Sequence, residues 1–534
     1  MPRNNFFSKV RKGSEEYLTK KADDVRRYGV KGLVSRNVET PDDDLPDYYE
    51  ISYKFAPTDE ELEQQKNNPL SISLLISVLC IGLESMREID GITLDETLNI
   101  QTYDNYEVIK RKMRPLHSVD EDTADMLCAG EALESALSEA TGEYCIVARS
   151  DMMLSPGALY GIVKTIEENP GVDLIYSDED MVNEAGERHY SPRFKPEYNK
   201  ALLYTCNYIG GLLCVKTSLL KEIEMPGSEY DGAWQYDITL KLCAKADNIC
   251  HISRILCHSR ANPSGIMDNA IAKRILMEHL ERQEIKCEVE RTADFGYFRI
   301  KCENRDFKNL TVIITSSSRE TNKKLEALKS FGVTVKYEPD QKAAKVVLLN
   351  TKYGLFLRHA SYLPEVDELA EMMGILERPD VAAVGVKTCT KDGMVVQSGL
   401  VYFENGFVRP AFAGLYKNHK GYMRRAELTQ YVDGICFDCA MVRRDALELT
   451  GGFLYDLPRR YRDMDLCLQF KHSGFKVMID PYICIEVTPG DQANQVEENR
   501  ARLFMRDRWN EKLRDGGIFY NPNFRKGSAD FKLG

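Results

Sequence analysis

The sequence predicts an α/β protein with two tandem domains, each built on a mostly parallel sheet, preceded by a helical N-terminal segment. Two observations support this prediction. Apolar runs of strand length alternate with segments of helical periodicity, as in a parallel sheet covered by helices on both faces. Short motifs of the first half also recur in the same order in the second half. One domain has therefore been duplicated.

Three pairs of motifs carry this repeat at similar spacings. The pairs are Leu154-Ser-Pro156 with Tyr362-Leu-Pro364, Pro170-Gly-Val172 with Pro379-Asp-Val381, and Tyr236-Asp-Ile-Thr-Leu240 with Met464-Asp-Leu-Cys-Leu468. The spacing within a copy changes only between motifs, which is where insertions in loops are expected.

Residues 1–68 form the predicted helical segment, with a charged helix around residues 59–66. Residues 1–36 carry ten Lys or Arg against four Asp or Glu. This excess suits peripheral contact with an anionic membrane surface, and a solvated basic helix is the simpler alternative. The net charge of −12 over the whole chain argues against nucleic-acid binding.

The absence of long apolar runs bears on the location of the protein. No run approaches the roughly 18 residues needed to span a bilayer. The N-terminal sequence Met-Pro-Arg-Asn-Asn lacks the apolar core of a signal peptide. We therefore expect a cytoplasmic protein, with the inner face of the membrane as its one alternative site. The fifteen cysteines are expected to act as small buried apolar residues, and Cys436-Phe-Asp-Cys439 lacks a second pair at zinc spacing.

The first α/β domain is predicted to span residues 69–306. Its expected strands are residues 71–78, 106–109, 144–148 and 173–176, and its first clear helix is 131–137. The second domain is predicted to span 307–534, with strands at 310–314, 333–336 and either 345–349 or 353–357. Its front end is shorter, because 54 residues separate Leu310 from Pro364 where 85 separate Ser71 from Pro156. We expect strands or helices to be missing there.

Several motifs resemble one known family. They are Tyr176-Ser-Asp-Glu-Asp180, Pro192-Arg-Phe-Lys-Pro196, the run His251-Ile-Ser-Arg-Ile-Leu-Cys-His258, Asp463-Met-Asp-Leu-Cys-Leu468 and Tyr520-Asn-Pro-Asn523. Over about residues 70–534 the chain resembles family 2 glycosyltransferases of bacterial surface-polysaccharide and O-antigen clusters, in their tandem-domain form. The resemblance implies GT-A-like, Rossmann-like domains. It also implies a nucleotide-sugar donor and a glycan or lipid-linked glycan acceptor.

This resemblance implies chemistry that needs particular carboxylates. An Asp-x-Asp at a strand end holds Mg²⁺ or Mn²⁺ against the leaving diphosphate, and a further carboxylate takes the acceptor proton. Here the strand 144–148 is followed by Arg149-Ser-Asp151, the base position is Gln235, and the matching strand of copy two ends in Arg358-His-Ala360. A cation in place of a carboxylate repels a metal ion. We therefore expect neither copy to hold a divalent ion tightly.

Three aspartates are the remaining candidates for catalysis: Asp151, Asp237 and Asp463. Asp237 and Asp463, with Asp465, lie near the start of predicted helices, where the dipole keeps a carboxylate ionised. Capping of the helix is an equal alternative for Asp463 and the favoured one for the other two. Our hypothesis is that any transfer occurs in copy one and depends on Asp151, with Asp463 as a helix cap.

Candidate ligands for metal and nucleotide follow from the same comparison. Asp151 and His258 are the predicted metal ligands, although a simple hydrogen-bonded histidine is the more ordinary role of His258. Lys110 and Arg111, in a basic cluster expected after the second strand, are predicted to clamp the diphosphate. Asp178 and Asp180 share the Asp-x-Asp spacing and are predicted to help bind the cofactor, with a turn at a strand end as the alternative.

Two classes of function stay open on the sequence. The first is a working glycosyltransferase. The second is a catalytically degenerate pseudo-glycosyltransferase that binds carbohydrate or acts as a scaffold, since a fold persists when its catalytic residues are lost.

Overall fold

The computed structural model describes residues 48–68, 70–83, 94–114, 127–183, 188–260, 267–315, 323–338, 351–489, 494–510 and 519–533. The basic segment 1–36 and the alternative strand 345–349 lie outside these residues. Within the described part of residues 1–68, two short α-helices are present, α1 (Tyr48–Ile51) and α2 (Asp59–Asn67). A capping box between Thr58 and Glu61 starts α2, which confirms the charged helix predicted there.

The described residues of the first domain form ten strands. They are β1 (Ile76–Leu83), β2 (Tyr106–Met113), β3 (Tyr144–Arg149), β4 (Met152–Leu154), β5 (Leu174–Val182), β6 (His189–Arg193), β7 (Leu213–Lys216), β8 (Ile249–Ser259), β9 (Glu288–Arg291) and β10 (Phe298–Lys301). The main sheet has the order β2-β1-β3-β7-β5-β8-β4, with β6 paired to β5. Its longest ladders, β1 with β2 and β3 and β5 with β8, are parallel.

Helices cover both faces of this sheet. They are α3 (Leu94–Asn99), α4 (Ala129–Glu139), α5 (Ala158–Glu168), α6 (Lys200–Thr205), α7 (Thr217–Lys221), α8 (Trp234–Lys245) and α9 (Asn269–Arg282). Buried side chains of α4, α8 and α9 form one apolar core, and those of α3 and α5 form another on the opposite face. This is the layered α/β arrangement that the alternating pattern predicts.

The second domain repeats the topology of the first. Its strands are β11 (Leu310–Ile314), β12 (Thr334–Tyr337), β13 (Tyr353–Leu357), β14 (Val381–Cys389), β15 (Val395–Gln397), β16 (Leu400–Tyr402), β17 (Val408–Pro410), β18 (Gln430–Tyr431), β19 (Cys439–Arg443) and β20 (Lys476–Glu486). Its helices are α10 (Lys323–Ser330), α11 (Val366–Ile375), α12 (Arg444–Glu448), α13 (Arg459–His472) and α14 (Gln495–Trp509). The sheet order is β12-β11-β13-β19-β14-β20-β18. Except at the last strand, each position matches its counterpart in copy one, so the prediction of two tandem α/β domains is confirmed.

The shorter front end of copy two differs from the expectation in its strands, whereas the place of a counterpart to α4, between β12 and β13, lies outside the described residues. Within the described residues, no strand of the sheet is missing there. Instead β11 has five residues where β1 has eight, and β12 has four where β2 has eight. The deletion has therefore shortened the first strands and kept the order of the sheet.

Three local predictions are also corrected by the structure. The first strand begins at Ile76 instead of residue 71. The basic residues 110–113 belong to β2 and do not follow it. Asp178 and Asp180 lie inside β5 and are buried, so they do not form a turn.

The two copies are held together through a buried carboxylate of copy one. Asp178 accepts hydrogen bonds from the Nδ2 groups of Asn521 and Asn523, at 2.9 and 3.2 Å, in the closing motif of copy two. It also accepts the Lys195 amide and contacts His251 Nε2, both at 2.8 Å. Asp178 therefore joins β5, β8 and the segment that follows β6 to the C-terminal segment.

Two further features concern covalent structure and membranes. Cys287 and Cys302 are joined by a disulfide at the β9–β10 hairpin, which the expectation of unpaired cysteines did not include. Among the described residues, none of the helices has the length and apolar character required to cross a membrane.

Candidate functional site

The site expected from the family lies at the carboxyl ends of β1, β2 and β3. The loops after β1 and β2, residues 84–93 and 115–126, lie outside the described residues. The described wall of the site is the segment Arg149-Ser-Asp151 at the end of β3, together with the first turn of α8. The chemistry of this wall decides whether a metal ion fits there.

Arg149 and Asp151 form a two-point ion pair at this wall. Arg149 Nε and Nη2 donate to the two Asp151 oxygens at 2.7 and 2.6 Å, and Nη1 lies 3.4 Å from Gln235 Oε1. Burial alone would lower the pKa of Arg149, but the Asp151 carboxylate outweighs burial and raises it. Arg149 and Asp151, at the position expected for Asp-x-Asp in copy one, therefore neutralise each other's charge.

A divalent ion does not fit this position in the described conformation. Both Asp151 oxygens are directed to the guanidinium, and both side chains are buried, with Arg149 8% and Asp151 4% exposed. A metal ion would have to displace a buried cation. Asp151 remains the predicted catalytic and metal-binding residue, but the structure gives its carboxylate another partner.

Asp237 and the basic residues of β2 have partners of their own. Asp237 Oδ2 accepts from Lys241 Nζ at 2.6 Å, one turn later in α8. Lys110 pairs with Asp95, and Arg111 pairs with Glu139. Lys110 and Arg111 lie inside the edge strand β2 and not after it, and their role as a diphosphate clamp stays a prediction.

The structure brings a different group of metal-binding side chains together around Asp180. His258 Nδ1 donates to Asp180 Oδ1 at 2.5 Å, and His189 Nδ1 lies 2.8 Å from Oδ2. Tyr48 Oη of α1 also donates to Oδ2, at 2.7 Å, and His258 Nε2 lies 3.0 Å from Ser155 Oγ. Burial alone would raise the pKa of Asp180, but His258 and His189 outweigh it and lower the pKa. Asp180 is thus an ionised carboxylate held by two imidazoles.

The arrangement of strands explains this cluster. Asp180 and His258 are direct partners in the parallel pairing of β5 with β8. β6 folds back antiparallel on β5 and places His189 beside them. The sequence singled out Asp180 and His258 for their motifs but missed His189. The sequence feature that could have identified His189 is its position nine residues after Asp180, in a segment that forms a short strand.

The donor set of this Asp180 cluster determines which metal ion it suits. Its three potential ligand atoms lie within 4.8 Å of one another, and it is the one such group found among the described residues. One carboxylate oxygen and two imidazole nitrogens suit Mn²⁺ or Zn²⁺ better than Mg²⁺, which prefers oxygen ligands throughout. The residues therefore fit the Mn²⁺ alternative of the predicted cofactor if the ion replaces the imidazole protons that face Asp180, an exchange that the guanidinium facing Asp151 does not allow.

In copy two, Asp463 is buried and does not cap its helix. It is the fifth residue of α13, and its Oδ2 accepts the amide of Phe437 at 2.9 Å. Burial raises its pKa, against the opposing effect of the Arg462 guanidinium. The helix-cap prediction is wrong, because α13 begins at Arg459, a full turn earlier. Asp465 is also inside α13, where it accepts from Gln469 and Trp509.

We expect Asp463→Ala to lower the free energy of unfolding. The change leaves the buried Phe437 amide without its acceptor, which costs about 1–3 kcal/mol. Urea unfolding followed by circular dichroism measures the loss, with Asp456→Ala at an exposed position as the matched control. Loss of sugar-nucleotide turnover at unchanged stability would instead place catalysis in copy two.

Comparison with known proteins identifies relatives that match about two thirds to three quarters of the chain. No family model matches the sequence. The chain is 28% identical over 469 residues to protein y4gI of Sinorhizobium fredii, covering 76% of this chain and 51% of that protein. It is 26% identical over 405 residues to the O-antigen biosynthesis protein RfbC of Myxococcus xanthus, covering 65% of this chain and 31% of RfbC. The chain thus spans about half or less of these relatives.

Solved structures show partial likeness to this chain. S. aureus TarS 1–349 in complex with UDP is 20% identical, with a TM-score of 0.29, covering 39% of this chain and 72% of that fragment. Glucosyl-3-phosphoglycerate synthase of Mycobacterium tuberculosis, in complex with Mn²⁺, UDP-glucose and phosphoglyceric acid, is 16% identical. Its TM-score is 0.28, covering 44% of this chain and 88% of the synthase. By its motifs and its sequence relationship to RfbC, the chain resembles bacterial family 2 glycosyltransferases of surface-polysaccharide and O-antigen assembly.

Proposed function

We propose that this chain is a glycosyltransferase-type component of bacterial surface-polysaccharide assembly that takes a nucleotide-sugar donor in copy one. The observation that carries the proposal is the cluster of Asp180, His189 and His258 at the carboxyl ends of β5 and β8. Ligands of α/β sheets bind at this edge. The sequence relationship to RfbC supports the link to O-antigen assembly.

The proposal assigns Mn²⁺ to the Asp180 cluster instead of the usual Asp-x-Asp position. Asp180, His189 and His258 would hold the ion, which would supply positive charge against a leaving diphosphate. Asp180 fixes the orientation of both imidazoles, and the Tyr48 hydroxyl fixes Asp180 from α1. Such neighbouring hydrogen bonds tune ligands in metal sites. A glycan or lipid-linked glycan is the proposed acceptor, with the basic N-terminal segment at the membrane surface.

Calorimetric titration with UDP-, GDP- and dTDP-sugars, with and without Mn²⁺, tests this function. We expect one class of nucleotide-sugar to bind more tightly with Mn²⁺ and to release its nucleoside diphosphate when an acceptor glycan is added. Chelation of Mn²⁺ should abolish that release. His189→Ala should weaken Mn²⁺ binding at least about tenfold, as loss of a ligand or its orienting group does.

His472→Ala is the matched control for His189→Ala, because His472 is an exposed histidine of copy two. It should leave Mn²⁺ binding unchanged. Failure of every nucleotide-sugar to bind, in the presence and absence of Mn²⁺, would contradict the proposal.

The ion pair of Arg149 with Asp151 favours a second candidate, a non-catalytic module that binds nucleotide-sugar or glycan for other enzymes of assembly. Gln235, the nearest side chain at the base position, cannot serve as a base at neutral pH. Binding of a nucleotide-sugar with no diphosphate release across a panel of acceptors would select this second function.

A further inference from the structure

Two cysteines of copy two meet at the carboxyl ends of adjacent strands. Cys389 is the last residue of β14, and Cys484 lies near the end of β20. Their Sγ atoms are 2.9 Å apart, although 95 residues separate them in the chain. In the parallel pairing, Cys484 lies opposite Lys387 and Cys389 lies opposite Glu486. The two thiols are therefore diagonal neighbours on one face of the sheet.

The position of this pair corresponds to the Asp180 cluster of copy one. Pro170 and Pro379 mark an offset of 209 residues, and the same offset matches Asp180 to Cys389. In copy one the strand partner of Asp180 is His258, and in copy two the partner of Cys389 is Glu486. The duplicated fold thus places a dithiol where the first copy places a carboxylate and two imidazoles.

The two thiols differ in exposure and acidity. Cys484 is exposed, and Cys389 is 3% exposed. The hydrogen bond from the Cys389 thiol, helped by Lys387 and Lys417, lowers the pKa of Cys484 to about 7. The hydrogen bond to Cys484, together with burial, raises the pKa of Cys389. An accessible thiolate beside a buried thiol is the arrangement that thiol–disulfide exchange requires.

The Cys436-Phe-Asp-Cys439 motif contrasts with this pair. Burial raises the pKa of both of its thiols. These cysteines therefore stay protonated at neutral pH and react slowly. The Cys-x-x-Cys spacing thus draws attention to a pair of cysteines with raised pKa values. Cys389 and Cys484 are far apart in the sequence and are brought together by the pairing of β14 with β20.

We infer that Cys389 and Cys484 are a reversible dithiol–disulfide site for low-molecular-weight disulfides such as oxidised glutathione. The Cys484 thiolate attacks one sulfur of the oxidant, forms a mixed disulfide and expels one glutathione thiolate. Cys389 then loses its proton, attacks the Cys484 sulfur and expels the second glutathione. The protein dithiol loses two electrons and two protons, and the oxidant gains them as two thiols.

The test uses the full chain equilibrated with oxidised glutathione, then alkylated and mapped by peptide mass. We expect a peptide that links Cys389 to Cys484, two fewer alkylated thiols and an upward shift in Tm that dithiothreitol reverses, since the link closes a long loop. Cys484→Ser should lose the link and the shift. Cys250→Ser, at a half-buried cysteine outside the pair, should keep both.

A second variant separates the two chemical steps. Cys389→Ala removes the resolving thiol, so glutathione should remain on Cys484 as a stable adduct. The inference is overturned if wild-type Cys389 and Cys484 are both alkylated after oxidation, or if glutathione stays on Cys484 while Cys389 is intact. Neither result depends on sugar transfer, so this test is independent of the test of the proposed function.

Discussion

Asp178→Ala is expected to destabilise the protein by about 3–5 kcal/mol, because it removes the nearer partner of a buried charge. The charge belongs to His251, whose side chain is 1% exposed and lies 2.8 Å from Asp178. The other contact of His251, Glu197, is longer at 3.4 Å and is itself 43% exposed, so it compensates the charge only in part. The change also removes the acceptor for Asn521 and Asn523, which carry the contact from copy two. Asp178 therefore stabilises the fold. This role is enough to account for an aspartate at this position, without the predicted role in cofactor binding.

Urea unfolding of the full chain measures this effect. Asp104→Ala, at an exposed aspartate of the same domain, is the matched control and should change the free energy of unfolding by less than about 0.5 kcal/mol. Equal stability of Asp178→Ala and wild type would show that the carboxylate does not hold the two copies together.

The same pair predicts how stability depends on pH. Burial alone would lower the pKa of His251, but the Asp178 carboxylate, with a smaller contribution from Glu197, outweighs it and raises the pKa to about 9. Since the folded pKa exceeds the unfolded value of about 6.5, the stabilisation is complete below pH 6.5 and is lost as the pH rises through 9. The shift corresponds to about 3 kcal/mol.

Unfolding at several pH values between 6.5 and 9.5 checks this dependence. Asp178→Ala should lack the loss of stability that His251 causes in wild type. His279 does not interfere, because burial lowers its pKa to about 4. A wild-type free energy of unfolding that is flat across this range, matching the variant, would contradict the assignment to His251.

The elements of the fold could be predicted where their signal is local. The runs that became β3, β11 and β13 are continuous and apolar, and their side chains are buried on both faces. β2 was partly missed because it is an edge strand, whose second half carries the exposed Lys110 and Lys112. Charged residues on an edge strand protect it from pairing with other chains, and in a sequence they resemble a loop.

The candidate site was harder to predict, because its contacts join distant parts of the chain. Asp180 meets His258 across 78 residues, and Asp178 meets Asn521 across 343. Aspartates are seldom buried inside a strand unless distant side chains pair with them. Without those partners in view, a turn was the more ordinary interpretation of Asp178 and Asp180. The presence of Arg149 where an aspartate is expected was visible in the sequence. Its ion pair with Asp151 and its contact with Gln235 required the fold.

Arg149→Asp is expected to create a second Mn²⁺ site in copy one. The change removes the guanidinium that occupies Asp151 and restores the Asp-x-Asp spacing at the end of β3. Without metal, two buried carboxylates then face each other, and we expect a loss of about 3–5 kcal/mol from the uncompensated charge. Because Mn²⁺ binds only the folded variant at this position, saturating Mn²⁺ should recover much of that loss.

Thermal unfolding with and without Mn²⁺, together with a titration of Mn²⁺ stoichiometry, measures both effects. If the Asp180 cluster holds one ion in wild type, as proposed, Arg149→Asp should bind two and Arg149→Asp with His189→Ala one. Arg149→Gln is the matched control, because it removes the same cation without adding a carboxylate. It should be destabilised and should not recover with Mn²⁺. Equal Mn²⁺ stoichiometry in wild type and Arg149→Asp would show that Arg149 is not what keeps a metal ion from Asp151.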